Sequence, residues 1–125
     1  MTHAETTPGG RHVRRAWHVG ALLLCLVSGS GRAEEPDGRQ LAHGTAKGNC
    51  LACHRMPNDA AAVTSADIGP PLANMAERFP DRARLAAQIW DAAVAHPDTV
   101  MPPFGRNGVL TRSEIERIVD YLYTQ

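Results

Sequence analysis

The segment Lys47-Gly48-Asn49-Cys50-Leu51-Ala52-Cys53-His54 carries more chemistry than any other part of this 125-residue chain. Two thiols separated by two residues and followed at once by an imidazole form the C-x-x-C-H spacing of covalent haem attachment. The spacing has a physical reason. Thiols about one helical turn apart can add across the two vinyl groups of one macrocycle, and the adjacent His54 then faces the iron as proximal ligand. Other readings of Cys50 and Cys53 are a disulfide, a redox-active thiol pair, which ordinarily accompanies a βαβ pattern that this chain lacks, and a zinc site, for which Cys53 and His54 are an awkward adjacent pair. One covalently bound haem c is the expectation.

The chain has a third cysteine, Cys25, but it falls in a segment that reads as a leader. Arg11, Arg14 and Arg15 precede the apolar run from Ala16 to Val27, and small residues follow up to Ala33. This is the three-part layout of a secretory signal over residues 1–33, with Gly31 and Ala33 fitting the small-x-small cleavage rule. The run is too short, and His18 too polar, for a spanning helix. Cys25 follows three leucines rather than the small residue that a bacterial lipid-attachment site requires. The expected location is therefore the periplasm, with no membrane contact after the leader is removed. Residues 34–125 would make one small domain.

Lys+Arg 13 against Asp+Glu 13 excludes a strongly basic nucleic-acid binder, and 43% hydrophobic with 21% charged residues excludes a disordered tail. Beyond the leader the chain keeps 9 basic and 12 acidic residues, a mild acidity. Ordering such a chain costs about 1.5 kcal/mol per residue, so a domain this small usually needs a disulfide, metal or cofactor as staple. With Phe79, Trp90, Phe104, Tyr121 and Tyr123 as its aromatics, the core has room for one.

The candidates for a sixth iron ligand are Met56, Met75, Met101, His43 and His96. Met56 follows His54 too closely to reach the opposite face. Met75 sits in the apolar segment Leu72 to Met75, where a methionine more often fills the core. Met101 precedes Pro102 and Pro103, which lack backbone donors and stiffen an extended loop able to hold a sulfur against iron. Met101 is the expected ligand, with His96 the alternative, while His43 reads as a surface residue.

The pattern is all-α. A first helix is expected over Arg39 to Ala46, and a third over about Asp81 to Ala95, ended by His96-Pro97. Between them Arg55 to Pro71 reads as a long loop, plausible only if packed on a cofactor. Trp90 is expected to pack in the core. Thr111 and Glu114 make a capping box for the last helix, whose apolar face is Ile115, Ile118, Val119 and Leu122.

Cys50 to His54, Gly69-Pro70-Pro71-Leu72, Met101-Pro102 and Asp120-Tyr121-Leu122, in this order, resemble the class I cytochrome c family. That resemblance implies a class I cytochrome c-like fold around the haem. The Pro70 carbonyl would accept from the His54 N–H, Leu72 would pack on the haem, and Tyr121 would lie where the first and last helices cross. Gly44 is the candidate for their close approach. The full run of motifs, including Ala66-Asp67-Ile68, Arg78-Phe79-Pro80-Asp81 and Met101-Pro102-Pro103-Phe104-Gly105, is similar to the SoxX family of monohaem cytochromes.

The SoxX resemblance implies partners: a SoxA-like haem c subunit in a heterodimer, a SoxYZ-like carrier protein reached through that complex, and a small periplasmic electron acceptor. The chain would pass on electrons while the complex couples thiosulfate to a carrier cysteine, an L-cysteine S-thiosulfotransferase type of reaction. No catalytic residue of its own is expected, since an iron with two protein ligands has no position open to substrate. Arg78, Arg82 and Arg84 either face an acidic partner or are simply solvated. A free-standing periplasmic carrier explains the haem residues equally well, whereas a haem sensor would need a displaceable sixth ligand.

Overall fold

The computed structural model describes residues 34–64 and 66–125; the leader reading of residues 1–33, including Cys25, lies outside them. Among the described residues four α-helices follow in order: α1 (Gly38–His43), α2 (Met75–Arg78), α3 (Arg82–Trp90) and α4 (Arg112–Leu122), with 3₁₀ turns at Cys50–Ala52 and Ala92–Val94. Among the described residues there is no strand. The all-α expectation holds.

Both terminal helices start where their side chains can satisfy free backbone N–H groups. Asp37 accepts from Gln40 N while Gln40 Oε1 accepts from Asp37 N, and Thr111 and Glu114 reciprocate in the same way at α4. Glu114 is also buried against Lys47, whose Nζ lies 2.7 Å from Oε1. That contact holds the Glu114 carboxyl below its ordinary range and ties α4 to the loop entering Cys50.

The terminal helices cross, and the close approach is at Gly38 rather than Gly44. A Cβ on Gly38 would run into the Arg117 carbonyl and come within 2.9 Å of Tyr121 Cβ. Gly44 instead ends α1 three residues short of the expected Ala46, because the chain turns extended there and Gly48 N donates back to Leu41 O. Tyr121 does lie at the crossing. Leu41 and Ala42 from α1 meet Ile118, Val119 and Leu122 from α4 in one apolar core, with Leu85 and Ile89 added by α3.

The third helix also stops early, at Trp90. Asp91 adopts φ −159° and its carboxylate accepts from Ala93 N, so it closes α3 and opens the 3₁₀ turn that follows. Arg106 pairs with the same carboxylate at 2.8 Å. The short α2 was not legible in the apolar segment ending at Met75. It begins at Asn74, whose φ of 51° is in the left-handed region that asparagine tolerates better than most residues.

Candidate haem site

The helices and the two long loops enclose a cleft with a cavity of about 230 Å³. Cys50, Cys53, His54 and Met101 all line it, as do Pro70 and Leu72. Sequence positions spread over fifty residues thus meet on one cavity.

On the His54 side, the loop after the cysteines folds back on its own start. Gly69 N donates to Cys53 O at 2.8 Å, Leu72 N to Arg55 O at 2.8 Å, and Thr64 Oγ1 to Leu51 O at 2.9 Å. These bonds bring the Pro70 carbonyl 2.7 Å from His54 Nδ1. A carbonyl only accepts, so Nδ1 is the donor here, and in the neutral imidazole this tautomer leaves the Nε2 lone pair for a metal. Gly69 lies against the ring, and a Cβ there would collide with it. The glycine is required by close approach rather than by an unusual backbone angle.

Burial pushes the Cys50 thiol up to about 11, with Cys53 adding to the shift. A thiol so held is a poor source of thiolate for metal binding or exchange. Among the described residues no three His, Cys, Asp or Glu side chains converge as a tetrahedral metal centre would require. Both cysteines are free thiols on the wall of an apolar cavity. The donor set fits a macrocycle attached through two sulfurs and ligated by an imidazole.

The Met101 side is anchored from α3. Gly105 N and Arg106 N both donate to Trp90 O, and the Trp90 ring packs against Gly105, where a Cβ would strike it. Arg112 stacks on the same ring with its guanidinium carbon 4.2 Å from the centroid. Trp90 does not line the cavity; it holds the Met101 loop in place. Within the loop, Met101 N donates to Thr99 Oγ1 at 3.2 Å.

The other ligand candidates separate. His96 lies in a different groove, beside Trp90 and Arg112. Met56 is buried with its sulfur near Tyr121 Oη, outside the cavity lining. Met75 is 1% exposed core that also borders the cavity, and its sulfur accepts from Arg78. His43 is half-buried rather than a surface residue, because Tyr121 Oη lies 3.2 Å from its Nε2.

His43 belongs to a cluster that sequence reasoning missed, having no spacing to signal it. Asp59 accepts from Arg39 Nε at 2.7 Å and from Tyr121 Oη at 2.6 Å, joining α1, α4 and the loop after His54. The Arg39 and Tyr121 hydrogen bonds hold the Asp59 carboxyl well below the usual carboxylate range, while burial and Asp59 hold the Tyr121 phenol above its own. A carboxyl lowered on folding stabilises the fold above its unfolded value near 3.8 and loses that contribution as pH falls below it. Asp59→Asn is expected to lower Tm at pH 6, with the gap to wild type shrinking at pH 3. A gap that did not change with pH would dissociate the cluster from acid stability.

Arg78, Arg82 and Arg84 do not share a face. Arg82 pairs with Asp120 and stacks over Tyr123, Arg84 lines the groove of His96, and Arg78 lines the cavity.

The family model described as cytochrome C oxidase, cbb3-type, subunit III matches residues 36–122. The chain belongs to this cytochrome c family. As a cytochrome it binds haem and serves electron transfer. It is also similar to a chain in the crystal structure of SoxXA from P. pantotrophus, at 26% identity and a TM-score of 0.62, covering 70% of this chain and 77% of that one. The SoxX resemblance read in the sequence therefore holds at the level of fold and sequence. An uncharacterized lipoprotein of Aquifex aeolicus (strain VF5) is 35% identical over 80 residues. Those residues are 64% of this cytochrome, which spans 38% of that relative's length. Among the described residues no helix is long and apolar enough to cross a membrane.

Proposed function

We propose that this chain is a periplasmic monohaem c-type cytochrome, made as a signal peptide over residues 1–33 and a cytochrome c domain over 34–125, and that it acts as the small electron-transfer subunit of a SoxXA-type complex. The observation that carries the reading is His54, with its Nδ1 proton committed to Pro70 O, on the same cavity as Cys50, Cys53 and Met101. The likeness to a SoxXA chain supports the choice of partner.

In this reading Cys50 and Cys53 would hold the macrocycle covalently through their sulfurs. His54 Nε2 and Met101 Sδ would hold the iron, the Pro70 carbonyl would fix the imidazole orientation, and Leu72 would pack against the group. Bound there, the haem supplies reversible one-electron chemistry, and a thioether ligand favours the ferrous state. With both iron ligands supplied by the chain, the group would have no position left for substrate. Thiosulfate coupling then falls to the SoxA-like subunit and the SoxYZ-like carrier, with electrons leaving to a small periplasmic acceptor.

The test is gentle purification from the native periplasm, with intact mass and haem count of whatever accompanies the chain. A haem-bearing larger subunit at fixed ratio is the expected result. A lone chain carrying one haem would leave a free-standing periplasmic carrier, a reading that the broader cytochrome family match also accommodates.

A further inference from the structure

A second groove, of about 570 Å³, is lined by α3, the 3₁₀ turn after it and the first turns of α4, and it shares only Phe79 and Gln88 with the haem cavity. Its apolar lining includes Ala83, Ala87, Trp90, Val94 and Ile115. Alanine side chains are short, so α3 leaves space beside the Trp90 ring rather than filling it. Val94 is 83% exposed on this groove, and Ala83, Ala87 and Ala95 are exposed along it. Arg84 and Arg112 line the same groove, and among the described residues neither lies within ion-pair distance of a carboxylate. By contrast, Arg39, Arg82, Arg106 and Arg117 are each paired with one. Arg112 is set in place by its stacking on Trp90. Of the two acids on the groove, Asp91 is engaged by Arg106, which leaves Glu116 against two guanidiniums. Residues 34–125 carry 9 basic and 12 acidic residues, so the groove is cationic on a domain that is acidic as a whole.

We infer that this groove is a docking site for an acidic segment of a partner protein, a stretch of chain bearing both carboxylates and a large apolar side chain. The carboxylates pair with Arg84 and Arg112, whose planar forks suit a two-oxygen acceptor. The apolar side chain covers Trp90 and Val94. Burial there supplies affinity, while the charges set orientation and reject basic segments. A second copy docked groove to groove would bring the two guanidiniums against their own counterparts. An anionic membrane would meet a concave surface on a domain of its own sign of charge. Because the groove and the haem cavity share so little lining, the segment docks while Ile68 and Val100, exposed at the mouth of the cavity, stay free. Nothing in this site depends on the SoxXA-type assignment.

The experiment is a nuclear magnetic resonance titration of the reduced, ¹⁵N-labelled protein, as purified from its native cells, with a peptide of alternating glutamate and leucine. Trp90 is the only tryptophan of residues 34–125, so its indole N–H resonance reports on the groove. That resonance and the amides of Ala87 and Val94 are expected to shift, while those of Ile68 and Val100 stay in place. A peptide of alternating lysine and leucine should move none of them, and one of glutamate and glycine should bind more weakly. R84E and V94D should each weaken binding of the glutamate–leucine peptide about tenfold. Both positions are exposed, and an acid at Arg84 falls in the first turn of α3, where the helix dipole favours it, so the fold should persist. A peptide that shifts nothing, one that shifts Ile68 and Val100 instead, or variants that titrate like wild type would overturn the inference. Vesicles of phosphatidylglycerol that move the Trp90 resonance where the peptide does not would make the groove a membrane surface. Shifts that grow with protein concentration before any peptide is added would make it a contact between copies. Either result overturns the assignment to an acidic protein segment.

Discussion

Met101→Ala is expected to lower the reduction potential by on the order of 0.2 V, given that axial ligands set haem potentials over a range of about 0.8 V. It should also let the ferrous protein bind carbon monoxide. In the proposed ligation the Met101 thioether is a soft donor that would stabilise the reduced iron, and its loss would leave one coordination position to water or added ligand. The effect should be confined to the ligand. The Met101 loop is held from outside the cavity by the Gly105 and Arg106 bonds to Trp90 O, by the Trp90 ring against Gly105, and by Arg106 on Asp91. Potentiometric titration and a carbon monoxide difference spectrum check it. Survival of the ferric Met-to-iron charge-transfer band in Met101→Ala would sink the ligand assignment.

Gly38→Val is expected to destabilise the protein by about 3 kcal/mol or more, since overpacking a tight contact costs about 1–3 kcal/mol even where flexible side chains can yield. Here the obstruction is the Arg117 carbonyl, part of α4's own backbone, and Tyr121 Cβ beside it. Moving α4 away would uncover Leu41, Ile118 and Val119 and stretch the Tyr121 contact with Asp59. Against a total stability of about 5–15 kcal/mol for a small domain, the variant should show a large fall in thermal midpoint and poor haem retention. Circular dichroism melts on Gly38→Ala and Gly38→Val make the comparison, with alanine the milder. Melting curves that superimpose on wild type would mean the helices cross elsewhere.

The parts of the site that could be read from the chain are those whose chemistry is written in spacing. Cys50, Cys53 and His54 are one motif, and Met101 stood out because Pro102 and Pro103 stiffen its loop. The α4 cap was legible because Thr111 and Glu114 lie three residues apart and act on their own backbone. Element ends were harder. α3 was expected to run on to Ala95, but Asp91 spends its carboxylate on Ala93 N and Arg106, a choice made by a residue fifteen positions away.

The placement of His43, Gly38 and Arg78 shows the same limit. His43 looked like a surface residue because nothing nearby in sequence engages it, yet Tyr121 reaches it from α4. Gly38 carries the helix crossing that Gly44 was expected to carry, and only the path of the Arg117 backbone distinguishes two glycines six residues apart on the same segment. Arg78 looked like one of three arginines on a face, and the fold divided them among a cavity, an ion pair and a groove.

By itself the amino-acid sequence determined the all-α character, the C-x-x-C-H motif and the capping box of α4, because each rests on residues within a few positions of one another. Tertiary structure decided which polar groups meet: Pro70 with His54, Asp59 with Arg39 and Tyr121, Arg78 with the cavity mouth. Those contacts join segments up to 62 residues apart. Their geometry depends on how α1, α3 and α4 pack, and the apolar residues that drive the packing carry no directional information about which charges it will bring together.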